Sequence, residues 1–252
     1  MTSPRDDFRD DVGTPSSAGL AWTGVVFALA FPTVVTWIYF VLAANLSDAL
    51  QQTTYAAVKT VQFVFPVVWA WFVLKQPVDW RRPSRSGIGS GIVFGLAVTI
   101  VGWFLFDDVL RETAAFTAAA EKIRGKVAGF GLDSVARYAT LGVFYSLLHS
   151  LLEEYYWRWF VFGQLRRLVP VWPAILVSAA GFVGHHVLVL ATFFGWSWLA
   201  VLLSAAVGVG GVFWAWLYHR SGSLVGPWLS HLVVDAGIFL VGFVLLGDLL
   251  AG

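Results

Sequence analysis

The sequence predicts an all-α membrane protein, a bundle of about seven transmembrane helices. Of its 252 residues, 58% are hydrophobic, 17% are aromatic and only 12% are charged, whereas charged residues make up about 25% of soluble domains. A soluble core of this size could not enclose so much apolar surface, but a bilayer accepts such surface on every outward face. Apolar runs of about 20 residues are also long enough to cross the hydrocarbon layer as helices.

Seven such runs follow one another along the chain. We predict spans over residues 20–46, 55–74, 87–106, 138–161, 172–194, 198–217 and 224–246. The third run places Gly87, Gly91 and Gly95 at four-residue intervals, which predicts close helix packing on that face. Residues 107–137 mix alanines, charges and a few apolar side chains, so we expect a helix there that lies along the interface and ends near Gly129.

The chain divides into a polar tail, residues 1–19, a first part with three spans and the interfacial helix, 20–137, and a last part with four spans, 138–252. Lysine and arginine collect in the tail and in the loops on the same side of the predicted bundle. Because basic loops usually remain in the cytoplasm, we expect a cytoplasmic N-terminus and a position in the cell membrane.

Composition also excludes some functions. The formal net charge is +1, and no basic stripe with interleaved aromatic residues is present, so we expect no nucleic-acid partner. The chain has no cysteine, which excludes a thiol nucleophile, disulfides and thiolate metal sites.

Ionisable residues nevertheless occur inside the last four predicted spans, where each charge costs about 2.5 kcal/mol or more. They form three motifs, Glu153-Glu154-x-x-x-Arg158, Phe182-x-x-x-His186 and His231-x-x-x-Asp235. Such residues persist at membrane depth where they pair with one another or take part in function. A base, imidazoles and a second carboxylate are the components of a hydrolase site. A proton or cation relay in a transporter is the alternative, but we find no inverted repeat of the kind that transporters show.

The spacing within each motif predicts which of its residues can contact one another. Glu154 and Arg158 are one helical turn apart with the acid first, an order that favours an ion pair. Glu153 lies about 100° around the helix and is left available as a general base. His231 and Asp235 share one helix face, so both side chains can contact the same bound group.

Two further histidines lie beside the motifs. His149 is one turn before Glu153 and could extend the site or orient that glutamate. His185 is adjacent to His186, and because neighbouring side chains on a helix diverge by about 100°, we expect His185 to be a core residue.

The order of the three motifs, each on its own apolar helix, resembles the CPBP family of intramembrane proteases. That family includes the type II CAAX prenyl endopeptidases and bacterial immunity-type (Abi) proteins, and the resemblance covers residues 138–246. It implies an intramembrane endopeptidase that acts on a membrane-associated or lipid-modified protein or peptide. The resemblance also implies that Glu153 activates water with help from His186, that His231 and Asp235 surround the developing oxyanion, and that Glu154 and Arg158 support them.

Asp235 departs from the asparagine of the family pattern. An amide donates a hydrogen bond to an oxyanion, whereas an ionised carboxylate only accepts. Asp235 is therefore protonated in its apolar setting, or it orients His231, or it binds a metal. Zinc or another divalent metal held by Glu153, His186, His231 and Asp235 is the alternative mechanism. We favour a glutamate-type protease without a cofactor, because the chain lacks the His-Glu-x-x-His helix of zinc proteases.

Overall fold

The computed structural model describes residues 15–43, 47–76, 85–132 and 134–250, and within these ranges it is helical and contains no strand. The helices, α1 to α9, are 15–42, 48–73, 88–110, Ala114–Gly129, 135–168, Val171–Phe194, Trp198–Ser221, Val225–Leu245 and Gly247–Leu250. The predicted all-α class is confirmed. α1 already begins at Pro15, inside the predicted polar tail. Residues 1–14 of that tail lie outside the described residues, as do Arg81, Arg82 and Asp133.

Six of these helices, α1, α2, α3, α6, α7 and α8, are long and apolar enough to cross a membrane. α5 is the seventh span, although its internal charges lower its hydropathy. It follows α4 at one end of the bundle and finishes beside the end of α2, where the amides of Gln164 and Gln76 hydrogen-bond to each other (2.7 and 3.2 Å). The chain is therefore an integral membrane protein with about seven spans, as predicted.

α4 lies across one end of the bundle, and its basic side chains bind the ends of three spans. Lys122 Nζ donates to two carbonyl groups at the end of α6 (3.3 and 3.2 Å), and Arg124 Nη2 donates to the last carbonyl group of α8 (2.9 Å). Lys126 Nζ donates to the side chain of Gln51 (2.6 Å), whose amide donates to carbonyl groups at the end of α1. Cations stabilise helix C-termini, which carry unpaired carbonyl groups. The ends of α1, α6 and α8 thus lie on one side, as a seven-span topology requires.

α3 and α8 pack closely along the predicted glycine ridge. Gly91 and Gly95 are buried in this contact. A side-chain carbon on Gly91 would overlap the backbone oxygen of Gly226, and one on Gly95 would lie 2.8 Å from the backbone oxygen of Ser230. The two helices therefore approach each other because these positions lack side chains.

α5 is the helix at the centre of the bundle. Its residues Tyr156, Trp157, Phe160 and Phe162 are at most 2% exposed, and α1, α6, α7 and α8 pack around it. Exposed valine, leucine and phenylalanine side chains instead cover the outer faces of the spans, where they can contact lipid. The charged residues in the middle of α5, Glu153, Glu154 and Arg158, are thereby kept away from the hydrocarbon layer.

Candidate active site

Three helices bring their ionisable side chains to one point inside the bundle. α5 supplies His149, Glu153, Glu154 and Arg158, α6 supplies His185 and His186, and α8 supplies His231 and Asp235. In α5, the glutamate pair ends a short α-helical turn, Ser150–Glu154, that lies between two π-helical segments, Tyr145–His149 and Tyr155–Phe162. Such π-helical segments are frequent at functional sites, because they rotate the following side chains away from their α-helical directions.

Glu153 is the central carboxylate of this cluster. Its Oε1 atom lies 3.5 Å from His185 Nε2 and 4.0 Å from His149 Nε2, and its Oε2 atom lies 3.8 Å from His231 Nε2. One carboxylate oxygen of Glu153 and one ring nitrogen each of His185 and His186 all lie within 4.8 Å of one another. The three measured separations exceed the usual hydrogen-bond length of about 2.9 Å. Glu153 can therefore share a further hydrogen-bonding partner with the histidines.

Glu154, by contrast, is held by two short contacts. Its Oε1 atom lies 2.9 Å from Arg158 Nη1 and 2.8 Å from His231 Nδ1, and none of the three side chains is more than 5% exposed. The expected ion pair within α5 is present, and His231 extends it to α8. Because an ionised carboxylate only accepts hydrogen bonds, we assign the proton of His231 to Nδ1. The other nitrogen, Nε2, then faces Glu153 and Asp235.

Arg158 is held between two aromatic rings. Its guanidinium carbon lies 4.7 Å from the centre of the Phe182 ring and 5.1 Å from that of Trp214. Trp214 also stacks on His231, with ring centres 4.2 Å apart, and donates its Nε1–H to Ser230 Oγ (2.9 Å). A planar guanidinium stacks well on aromatic faces. The phenylalanine of the second motif therefore helps to hold the ion pair of the first.

His186 has a defined orientation because of its position on α6. Its Nδ1 atom lies 2.8 Å from the backbone oxygen of Phe182, one turn earlier. A carbonyl oxygen only accepts, so we assign a proton to Nδ1, which leaves the lone pair on Nε2. In this tautomer His186 can accept a proton or a hydrogen bond, or bind a metal, through Nε2.

Asp235 lies one turn after His231, with 3.6 Å between Oδ1 and His231 Nε2, and its side chain is 17% exposed. It thus borders the cluster from the more accessible side. With the proton of a neutral His231 on Nδ1, its Nε2 atom can only accept a hydrogen bond. A protonated Asp235 fits this arrangement as a donor, and an ionised Asp235 fits it when His231 is an imidazolium.

The structure adds residues that the motifs did not identify. His185 is buried and stacks on Trp157, as a core residue would. Its Nε2 atom, however, is 3.5 Å from the carboxylate of Glu153, closer than that of His231 (3.8 Å) or His149 (4.0 Å). The prediction of a purely structural His185 was therefore incomplete, because Glu153 lies where both neighbouring histidines can reach it. Trp214 had no detectable signal in the sequence.

Comparison with known protein families finds a match in the segment that carries the site. Residues 135–237 match the family model described as Type II CAAX prenyl endopeptidase Rce1-like. No curated protein and no solved structure matches the chain. The matched segment contains the whole of α5 and extends to Asp235 in α8, so it includes all three motifs and agrees with the resemblance to the CPBP proteases. The segment of this chain that carries the site, residues 135–237, is thus similar to the Rce1-like type II CAAX prenyl endopeptidases.

Proposed function

We propose that this protein is an intramembrane endopeptidase that hydrolyses a peptide bond in a membrane-associated or lipid-modified protein. The observation that carries the proposal is Glu153, a buried carboxylate that lies among histidines from three helices but makes no short ion pair with them. A general base must be able to take up and release a proton, and a carboxylate that is already committed to a cation does this poorly.

In the proposed reaction, Glu153 accepts a proton from a water molecule as the water oxygen attacks the carbonyl carbon of the scissile bond. His186 accepts a hydrogen bond from the same water through Nε2 and so orients it. When the tetrahedral intermediate collapses, the C–N bond breaks and Glu153 transfers the proton to the leaving amine. Glutamate is thus regenerated in its ionised form, and no other reactant is consumed.

Glu154 and Arg158 support this chemistry without taking part in proton transfer. The short contacts of Glu154 with Arg158 and His231 hold its carboxylate in place and fix the imidazole ring of His231. A histidine whose second nitrogen is held by a carboxylate keeps one tautomer and one orientation. This arrangement directs His231 Nε2 towards the site.

The negative charge that grows on the carbonyl oxygen requires hydrogen-bond donors. We assign this role to His231 and Asp235, which border the cluster on α8. A protonated Asp235 donates one hydrogen bond, as the asparagine of the family pattern would.

A metal-dependent form of the same protease is the second candidate, and one specific observation favours it. Glu153, His185 and His186 bring one oxygen and two ring nitrogens within 4.8 Å of one another. Two histidines and one carboxylate are a common ligand set of catalytic zinc, which lowers the pKa of its bound water. This set includes His185 and differs from the predicted one, which contained His231 and Asp235.

The substrate, the membrane and the orientation form part of the proposal. The family description points to prenylated protein substrates. Seven spans with basic residues at the N-terminal side support a cytoplasmic N-terminus in a cell-membrane protein. Protease protection of a tag at the N-terminus in sealed vesicles would test the orientation.

Peptidase activity of purified, detergent-solubilised protein tests the function directly. The substrate is a farnesylated fluorogenic peptide, and an unmodified peptide of the same sequence shows whether the lipid is required. We expect Glu153→Gln to reduce the rate by about 10²–10⁴-fold, the usual contribution of a general base. Glu112→Gln, at a side chain that is 94% exposed, is the matched control and should keep full activity.

Two outcomes would contradict parts of this proposal. Unchanged cleavage by Glu153→Gln would remove Glu153 from the mechanism. Loss of activity with a chelator, recovery with zinc and a stoichiometric metal content would replace the glutamate-type mechanism with the metal-dependent one.

A further inference from the structure

α2 lies outside the segment that matches the family model, yet it faces the site with polar side chains. Tyr55, Lys59 and Gln62 are spaced so that they share one face of this helix. Phe63, on the same face, packs edge-on against His149 of α5, with ring centres 6.0 Å apart. The polar face of α2 is therefore beside the part of α5 that carries Glu153.

Lys59 is half-buried in the middle of α2. The Nζ atom lies over the rings of Tyr55 (5.7 Å) and Phe63 (5.5 Å). Among the residues that the structure describes, no carboxylate oxygen lies within 4.0 Å of it. Phe63, one of these two rings, is also the ring that packs against His149 in α5. Lys59 thus lies on the side of α2 that packs against the part of α5 carrying Glu153.

Gln62 provides a second, independent indication that α2 meets a polar molecule. Its side chain is fully buried, and neither its amide nitrogen nor its oxygen has a hydrogen-bond partner among the described residues. Buried polar groups are almost always paired. An amide offers donors and an acceptor together, which matches the hydrogen-bonding groups of a peptide backbone.

We propose that this face of α2 binds the substrate, with Lys59 pairing with a carboxylate of the polypeptide that is cleaved. This inference rests on the endopeptidase function proposed above. Lys59 lies near the midpoint of a helix that extends over residues 48–73, so lipid headgroups at the membrane surface do not reach it. The molecule that must come to this depth, next to Glu153, is the substrate.

A substrate carboxylate can come from a free C-terminus or from an acidic side chain. In both cases Lys59 selects bonds that lie a short distance from a negative charge. The pairing also removes an uncompensated charge from the interior of the membrane, which favours the bound state. Specificity is then supplied by the N-terminal half of the chain, while the chemistry remains in the last four spans.

Binding is measured in the Glu153→Gln background, so that the peptides stay intact. Three fluorescent lipidated peptides of the same neutral sequence are compared, one with a C-terminal carboxylate, one with a C-terminal amide, and one amide with an added aspartate. We expect the acid to bind at least about tenfold more tightly than the plain amide, since hydrogen bonds to charged groups are the stronger ones. Recovery of affinity by the aspartate peptide would identify a side chain as the source, and its failure to recover would identify the C-terminus.

Substitutions of Lys59 then test whether this residue causes the tighter binding of the acid peptide. Lys59→Met should abolish the difference between acid and amide, and Lys59→Arg should keep most of it. Lys122→Met, which removes a lysine from α4, is the control and should leave the preference unchanged. Lys59→Gln replaces the methionine variant if thermal unfolding shows that the latter does not fold.

The results separate this inference from the proposed function. Equal affinity for all three peptides, or a preference that survives Lys59→Met, would overturn the role of Lys59 while cleavage by the parent protein still supports the endopeptidase. A parent protein that cleaves none of the three peptides, although it binds them with the expected preference, would instead refute the endopeptidase function and leave Lys59 as an anion-binding residue.

Discussion

Neutralising Glu154 should destabilise the fold far more than it impairs the chemistry. Glu154 and Arg158 are 0% and 1% exposed, and their closest atoms are 2.9 Å apart. Glu154→Gln leaves the arginine charged, buried and without its counter-ion, which costs about 3–5 kcal/mol. For a chain of this size, that loss corresponds to a decrease of about 6–20 °C in Tm. The glutamine keeps a carbonyl oxygen that can still accept the hydrogen bond of His231, so the site geometry is retained.

The assay combines thermal unfolding in detergent with peptidase activity below the lowered Tm. A double substitution, Glu154→Gln with Arg158→Met, should recover much of the lost stability, because replacing both members of a buried pair is often neutral. Glu121→Gln provides the matched control, since Glu121 forms a similar pair with Arg124 but is 66% exposed. That exposed pair should contribute at most about 1 kcal/mol.

One result would refute this reasoning. A Glu154→Gln variant that unfolds at the temperature of the parent protein but has no activity would make Glu154 a catalytic residue. The assignment of Glu153 as the single general base would then fall with it.

Two further predictions concern the oxyanion side of the site and the packing that supports it. Asp235→Asn should keep substantial activity and extend it to higher pH, because an amide remains a donor where a carboxyl group ionises. A pH–rate profile in which the activity of both proteins falls at the same pH would contradict a donor role. Gly91→Val should strongly lower stability because its side chain would overlap the backbone of Gly226. Gly89→Val, with nothing within 4 Å of the added carbon, should be tolerated. Equal unfolding temperatures of the two variants would show that the stability of the fold does not depend on close contact between α3 and α8.

Much of the candidate site follows from local sequence spacing. The ion pair of Glu154 with Arg158 and the common face of His231 and Asp235 both follow from the 3.6-residue repeat of a helix. The glycine ridge of α3 and the interfacial position of α4 also follow from periodicity, since a helix must direct small or apolar residues towards its neighbours. These features depend only on residues that are close in the chain.

The contacts between helices could not be read from the same patterns. Two carboxylates in adjacent positions have different surroundings because α8 brings His231 within 2.8 Å of Glu154 but only within 3.8 Å of Glu153. Likewise, α6 brings His185 next to Glu153, and α7 places Trp214 against Arg158. α2 brings Phe63, with Lys59 over its ring, against His149. Spacing within a helix determines which face a side chain occupies, but the distance between two faces depends on how all seven spans pack. For this chain, the sequence determined the components of the site and the ion pair of Glu154 with Arg158, and the tertiary structure decided which histidines lie against each of the two glutamates, because those contacts join different helices.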